Sequence, residues 1–147
     1  MKIVTSEKKL KLISVKIERD DFPKHQRMLQ SVVDDYSGKL QGCSCIQYGQ
    51  PFRGFVMRHP KTKEFSFVFN PTVIWQFGKR TSFEGCLSVK GRYYVIRPLF
   101  VKAEWEDENG NKITKILGPK RSRIFMHEMD HLNGTTIKMK GFGGIEC

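Results

Sequence analysis

A chain of 147 residues with 39% hydrophobic content has room for one domain with a proper core, here expected as a single catalytic domain over 1–147. No apolar run is long enough to cross a bilayer, and Met1-Lys2-Ile3-Val4-Thr5-Ser6-Glu7-Lys8-Lys9 lacks the apolar stretch of a secretory signal. Those features exclude a helical membrane protein and set a reducing, cytoplasmic location as the expectation, while the net charge of +11 favours polyanions such as ribosomal or other RNA, or serves solubility alone.

The elements follow in order. Residues 10–17 partly alternate and predict an extended arm. Asp20, Asp21 and Pro23 mark a helix start. Met28, Leu29, Val32, Val33 and Tyr36 recur at helical spacing, with Gly38 as the stop. Phe52 to Arg58 and Phe65 to Phe69 read as strands around a turn at 59–63. Asn70-Pro71 punctuates, and Thr72 to Phe77 reads as another short strand. Tyr93 to Ile96 and Leu99 to Trp105 continue the β region, broken by Pro98. Asn109-Gly110 closes a hairpin onto Lys112 to Leu117. Gly118-Pro119 opens a second helix of some fourteen residues, with Gly134 as its cap. The class is α+β: antiparallel strands packed around a central helix.

That second helix carries His127-Glu128-Met129-Asp130-His131. Two histidines four residues apart project from one helical face and can bind one metal ion, with Glu128 directed at a bound water as a base. A catalytic metal site takes three protein ligands and keeps one position open. Gly134 matches the metzincin glycine, but Ile137 stands where the third histidine of that pattern belongs. A thermolysin-like downstream glutamate has only Glu146 to offer, beside the carboxyl terminus.

The third ligand is therefore sought upstream. His25 falls in the first helix and His59 in a turn beside Pro60, so both read as packing or surface residues. Cys43, Cys45, Cys86 and Cys147 show no disulfide spacing, and Cys43-x-Cys45 is not a zinc knuckle. Cys86, in Glu84-Gly85-Cys86-Leu87-Ser88 where a strand breaks at a glycine, is the best candidate, because a thiolate suits a soft or borderline metal. Taken alone it more often reads as a buried structural residue.

Glu84-Gly85-Cys86-Leu87-Ser88 followed by His127-Glu128-Met129-Asp130-His131 resembles the second and third motifs of the peptide deformylase family, EGCLS and HExDH. The first motif, GxGxAAxQ, is altered to Leu40-Gln41-Gly42-Cys43-Ser44-Cys45-Ile46-Gln47. Gly42 and Gln47 fit, the first Gly is Leu40, and the two Ala are Ser44 and Cys45. Lys90 stands near where many members carry Pro, and the chain ends sixteen residues after His131, like short phage forms without the long C-terminal helix.

The resemblance implies one divalent metal on Cys86, His127 and His131, with Fe(II) in the cell and Zn, Ni or Co able to replace it. It implies Glu128 as the acid–base group, with the Gln47 amide and the Leu87 N–H as oxyanion donors. Gly42 and Gly85 would admit an extended peptide as an added strand. Ile124, one turn before His127, is either a wall of the methionine pocket or plain core. Asp130 either orients a partner or is a simple helix-surface residue. The implied substrate is a nascent N-formylmethionyl peptide and the implied enzyme a monomer. Two rivals stand beside this reading: another metal amidase or peptidase, and a basic RNA- or ribosome-binding protein with a structural metal site.

Overall fold

The computed structural model describes residues 2–145. A single helical turn, α1 (Glu7–Leu10), opens the chain under a cap from Ser6, whose hydroxyl accepts the Lys9 N–H at 3.4 Å. The sequence did not announce it, because one turn carries too little periodicity to register. The expected arm follows. Val15 bridges Phe52, and the Ser14 N–H donates to the Leu132 carbonyl. Helix α2 (Phe22–Tyr36) begins at the expected Asp21-Phe22-Pro23 and buries Phe22, Leu29, Val32 and Val33.

The strands are β1 (Gly42–Ser44), β2 (Gly54–Arg58), β3 (Phe65–Phe77), β4 (Arg80–Cys86), β5 (Val89–Arg97), β6 (Phe100–Glu106), β7 (Lys112–Leu117) and β8 (Phe142–Ile145). Helix α3 (Pro119–Leu132) and the short α4 (Ile137–Lys140) lie between β7 and β8. All strand pairings are antiparallel and fall into two sheets, one ordered β1-β2-β3-β6-β7 and one ordered β4-β5-β8.

One expectation is corrected in β3. Asn70-Pro71 does not separate two strands; β3 runs through it with register shifts at 69/72 and 73/75. Asn70 adopts φ +51, a left-handed conformation that Asn tolerates, and Pro is accommodated at such an irregularity. The Asn70 side chain then replaces a strand partner for the arm: Oδ1 accepts from Ile17 N–H at 2.8 Å and Nδ2 donates to Ile17 O at 2.9 Å.

The five-stranded sheet is covered on both faces. On one, α2 packs Leu29 and Val32 against Val56, Phe67 and Phe69. On the other, α3 packs Ile124, Phe125 and Met129 against Phe55, Val68 and Trp105. Adjacent residues of β2 therefore serve opposite cores, which is the two-residue period of a strand. The smaller sheet holds Tyr93 and Val95 against Ile137 of α4 and reaches α3 through charged side chains. Helix α3 thus lies between the two sheets, as the α+β expectation requires. Among the described residues, no helix is long and apolar enough to cross a membrane.

Candidate active site

Helix α3 starts where Gly118-Pro119 predicts, and its last turn is followed by Gly134 at φ +75, a conformation that favours glycine. His127 and His131 sit one turn apart, with ring centroids separated by 5.2 Å. The third group arrives from β4. A register shift in the β4–β5 pairing falls between Glu84 and Cys86, and Cys86 Sγ lies 3.3 Å from His131 Nε2. The ligand atoms of Cys86, His127 and His131 all lie within 4.8 Å of one another. Four-coordinate ligands at about 2.0–2.3 Å from a metal stand about 3.3–3.8 Å apart, so one thiolate and two imidazoles in this arrangement fit a single divalent ion.

The other histidines are committed elsewhere. His25 is buried in α2, its Nδ1 3.9 Å from Cys45 Sγ and its ring against Phe52. His59 Nδ1 accepts the N–H groups of Lys61 and Thr62 and closes the β2–β3 turn. Cys43 and Cys45 are buried free thiols, and burial pushes Cys45 up to about 12, which makes it unreactive. Glu146 and Cys147 lie outside the described residues.

A chain of buried charges orients His127. Its Nδ1 is 2.8 Å from Glu84 Oε1. Arg97, from β5, holds both Glu84 oxygens, through Nη2 at 2.8 Å and Nε at 2.9 Å, and turns its other terminal nitrogen to Asp130. Lys140 of α4 closes the series on Asp130 Oδ1 at 3.2 Å. Asp130 is thus a buried link between sheet and helix, not a surface residue. Burial works against the Glu84 charge, but His127 and Arg97 outweigh it and hold the carboxyl down at about 2. Burial also opposes protonation of His127, while its hydrogen bonds to Cys86 and Glu84 bring it up to about 10. Burial, with the charges of His127 and Arg97, drives His131 well below the ordinary imidazole value and leaves it neutral, the form that binds metal.

Glu128 is fully enclosed, with Oε2 3.4 Å from the Ser44 hydroxyl. Burial raises its carboxyl to about 7 despite opposing pulls from His127, Ser44 and Arg97. Gln47 sits in a 3₁₀ turn (Cys45–Tyr48) and is locked from both ends: Oε1 accepts the Ser44 N–H at 2.9 Å and Nε2 donates to Ser88 Oγ at 3.0 Å. It is a fixed, buried amide.

A cavity of about 280 Å³ opens on this cluster. Gly42, Gln47, Gly85, Cys86, Leu87, Ile124, His127 and Glu128 all line it, so every expected site residue except the deeper His131 meets one space. A Cβ on Gly42 would come within 2.9 Å of the Val56 carbonyl and 3.2 Å of the Glu128 side chain, so glycine is required there. At Gly85 it would meet only Arg92 Cγ at 3.7 Å, and nothing in the chain itself demands glycine. Ile124 both joins the α3 core and lines the cavity, so its two readings hold together. Sequence reasoning missed Arg97, whose one signal is a charge at an inward position of β5 after buried Tyr93 and Val95.

The polypeptide deformylase family model matches residues 1–140. The peptide deformylase of Borreliella burgdorferi is 39% identical over 102 residues, 68% of this chain and 61% of that protein. That of Brucella suis is 30% identical over 139 residues, 90% of this chain and 78% of the relative. The solved structure of the Plasmodium falciparum enzyme superposes with a TM-score of 0.83 at 34% identity, over 96% of this chain and 87% of that one. With the three motifs converging on one cavity and a family match over nearly the whole chain, this protein belongs to the peptide deformylase family.

Proposed function

We propose that the protein hydrolyses the formyl group from the amino terminus of N-formylmethionyl nascent peptides, releasing formate and a free amine. The observation that carries this reading is the Cys86–His127–His131 donor set beside Glu128 and Gln47 on one small cavity. When bound there, a divalent ion supplies Lewis-acid activation of water and of the formyl carbonyl. We take Fe(II) as the cellular ion, with Zn, Ni or Co able to replace it, because one thiolate and two imidazoles suit borderline metals.

The chain's own groups do the rest. Glu128 takes the proton of the attacking water and returns it to the leaving amine. The Gln47 amide and the Leu87 N–H stabilise the developing negative oxygen; removing one such donor costs on the order of 10²–10³ in turnover. Gly42 and Gly85 let an extended peptide approach the backbone as an added strand, and Ile124 walls the methionine side chain.

The test is formate release from formyl-Met peptides, with acetyl-Met peptides as the control. Glu128→Gln should keep its metal and lose about 10²–10⁴ in rate. Cleavage of internal peptide bonds without formate would sink the reading, as would a Glu128→Gln variant working at the wild-type rate.

A further inference from the structure

The catalytic reading makes no use of the chain's charge. Between residues 78 and 97 stand Lys79, Arg80, Lys90, Arg92 and Arg97 against one acid, Glu84, which is buried and held by Arg97. This stretch builds β4 and β5, which turn Glu84 and Arg97 inward to α3 and another set of residues outward.

The outward set is aromatic. Strand pairing sets Phe83 opposite Tyr94, and Tyr94 opposite Phe142 of β8. The three rings form a row across three strands, with centroid separations of 4.6 and 6.0 Å. The Arg92 guanidinium lies 4.9 Å from the Phe83 ring on the same face. The row is open to solvent: Tyr94 is 40% exposed and Phe142 52%, with Ile96 and Ile145 exposed beside them. No window of the sequence contains this arrangement, since Phe142 lies far along the chain from Phe83.

We propose that the outer face of the β4–β5–β8 sheet is a stacking platform for single-stranded RNA. Adjacent π-faces and a guanidinium within a basic field are what unstacked bases and their phosphates require. A duplex offers no free base faces to such a row. A second copy of this chain would bring a like-charged face against it, with no acid on this face among the described residues to answer Arg92. An anionic bilayer would answer the charge, but membrane anchoring uses an amphipathic helix that sinks into the headgroups, whereas these rings lie across strands of a sheet. The Thr81 and Tyr94 hydroxyls, on the same outward positions, suit the 2′-hydroxyl that distinguishes RNA from DNA.

The experiment is fluorescence anisotropy of a labelled 12-residue oligouridylate with the whole protein across a salt series. The wild type should bind, and more weakly as salt rises. Tyr94→Ala and Phe142→Ala should each lower affinity about 5- to 150-fold, while formate release from a short formyl-Met peptide stays unchanged. Tyr94→Trp keeps a π-face; it should retain binding and show quenched indole emission when RNA is added, which keeps the test decisive if an alanine variant misfolds. Wild-type affinity in the alanine variants would overturn the proposal. So would tighter binding of oligothymidylate, binding to phosphatidylserine vesicles without binding to the oligouridylate, or self-association through this face without RNA binding.

Discussion

The two sheets are held by different forces. The five-stranded sheet is packed on both sides by hydrocarbon, α2 on one face and α3 on the other, with contacts such as Phe22 on Phe69 at 4.6 Å. The three-stranded sheet presents Ser82, Glu84 and Arg97 to the interior and grips α3 through ions. Apolar burial is strong but non-directional, so it secures a scaffold without aiming any atom. A guanidinium bridging two carboxylates has fixed angles, and it is this sheet that sets the imidazole of His127. Stability and aim are therefore divided between the sheets.

Breaking each sheet at its centre should separate the two roles. Phe69→Ala, in the apolar sheet, should cost about 3–5 kcal/mol in urea unfolding while leaving the zinc affinity of the folded protein unchanged. Arg97→Leu should cost a similar amount, about 3–5 kcal/mol, because Glu84 and Asp130 are left buried without their partner; here zinc affinity should fall as well. If Arg97→Leu bound zinc as the wild type does, the division of labour would be wrong.

A smaller effect is expected one link closer to the metal donors. Glu84→Gln should lower zinc affinity about 10- to 100-fold, read by competition with a chromophoric chelator. The same variant should change the acid limb of stability. Glu84 is held at about 2 against an ordinary 4.5, so its contribution is complete above 4.5 and is lost as pH falls toward 2. That contribution is on the order of 3 kcal/mol, and the glutamine variant should flatten the stability profile across this window. The mildest test is Lys140→Met at the outer end of the series. Its side chain is 40% exposed, so less than about 1 kcal/mol should be lost, with zinc affinity intact.

Legibility in the sequence followed the range of the signal. The α2 and α3 helices were readable at close to their true bounds because their periodicity and Pro and Gly markers are local. The two histidines and Glu128 were readable for the same reason, since one helical turn fixes their relation. Cys86 came from elimination and from its motif, and the structure brings it to the histidines. Strand β4 was largely missed because its inward positions, Ser82 and Glu84, are polar and break the apolar alternation by which strands are recognised. Helix α4 and strand β8 span four residues each, too few to show a period.

By itself, then, the sequence determined the two long helices and the one-turn spacing of His127 and His131 around Glu128, because covalent spacing and helical geometry suffice for them. Only the tertiary structure decided that Arg97 bridges Glu84 to Asp130, that β3 passes through Asn70-Pro71, and that Phe83, Tyr94 and Phe142 form one row. Each of these is a pairing between distant segments. Strand register and burial in a shared interior set such pairings, and no local pattern along the chain encodes them.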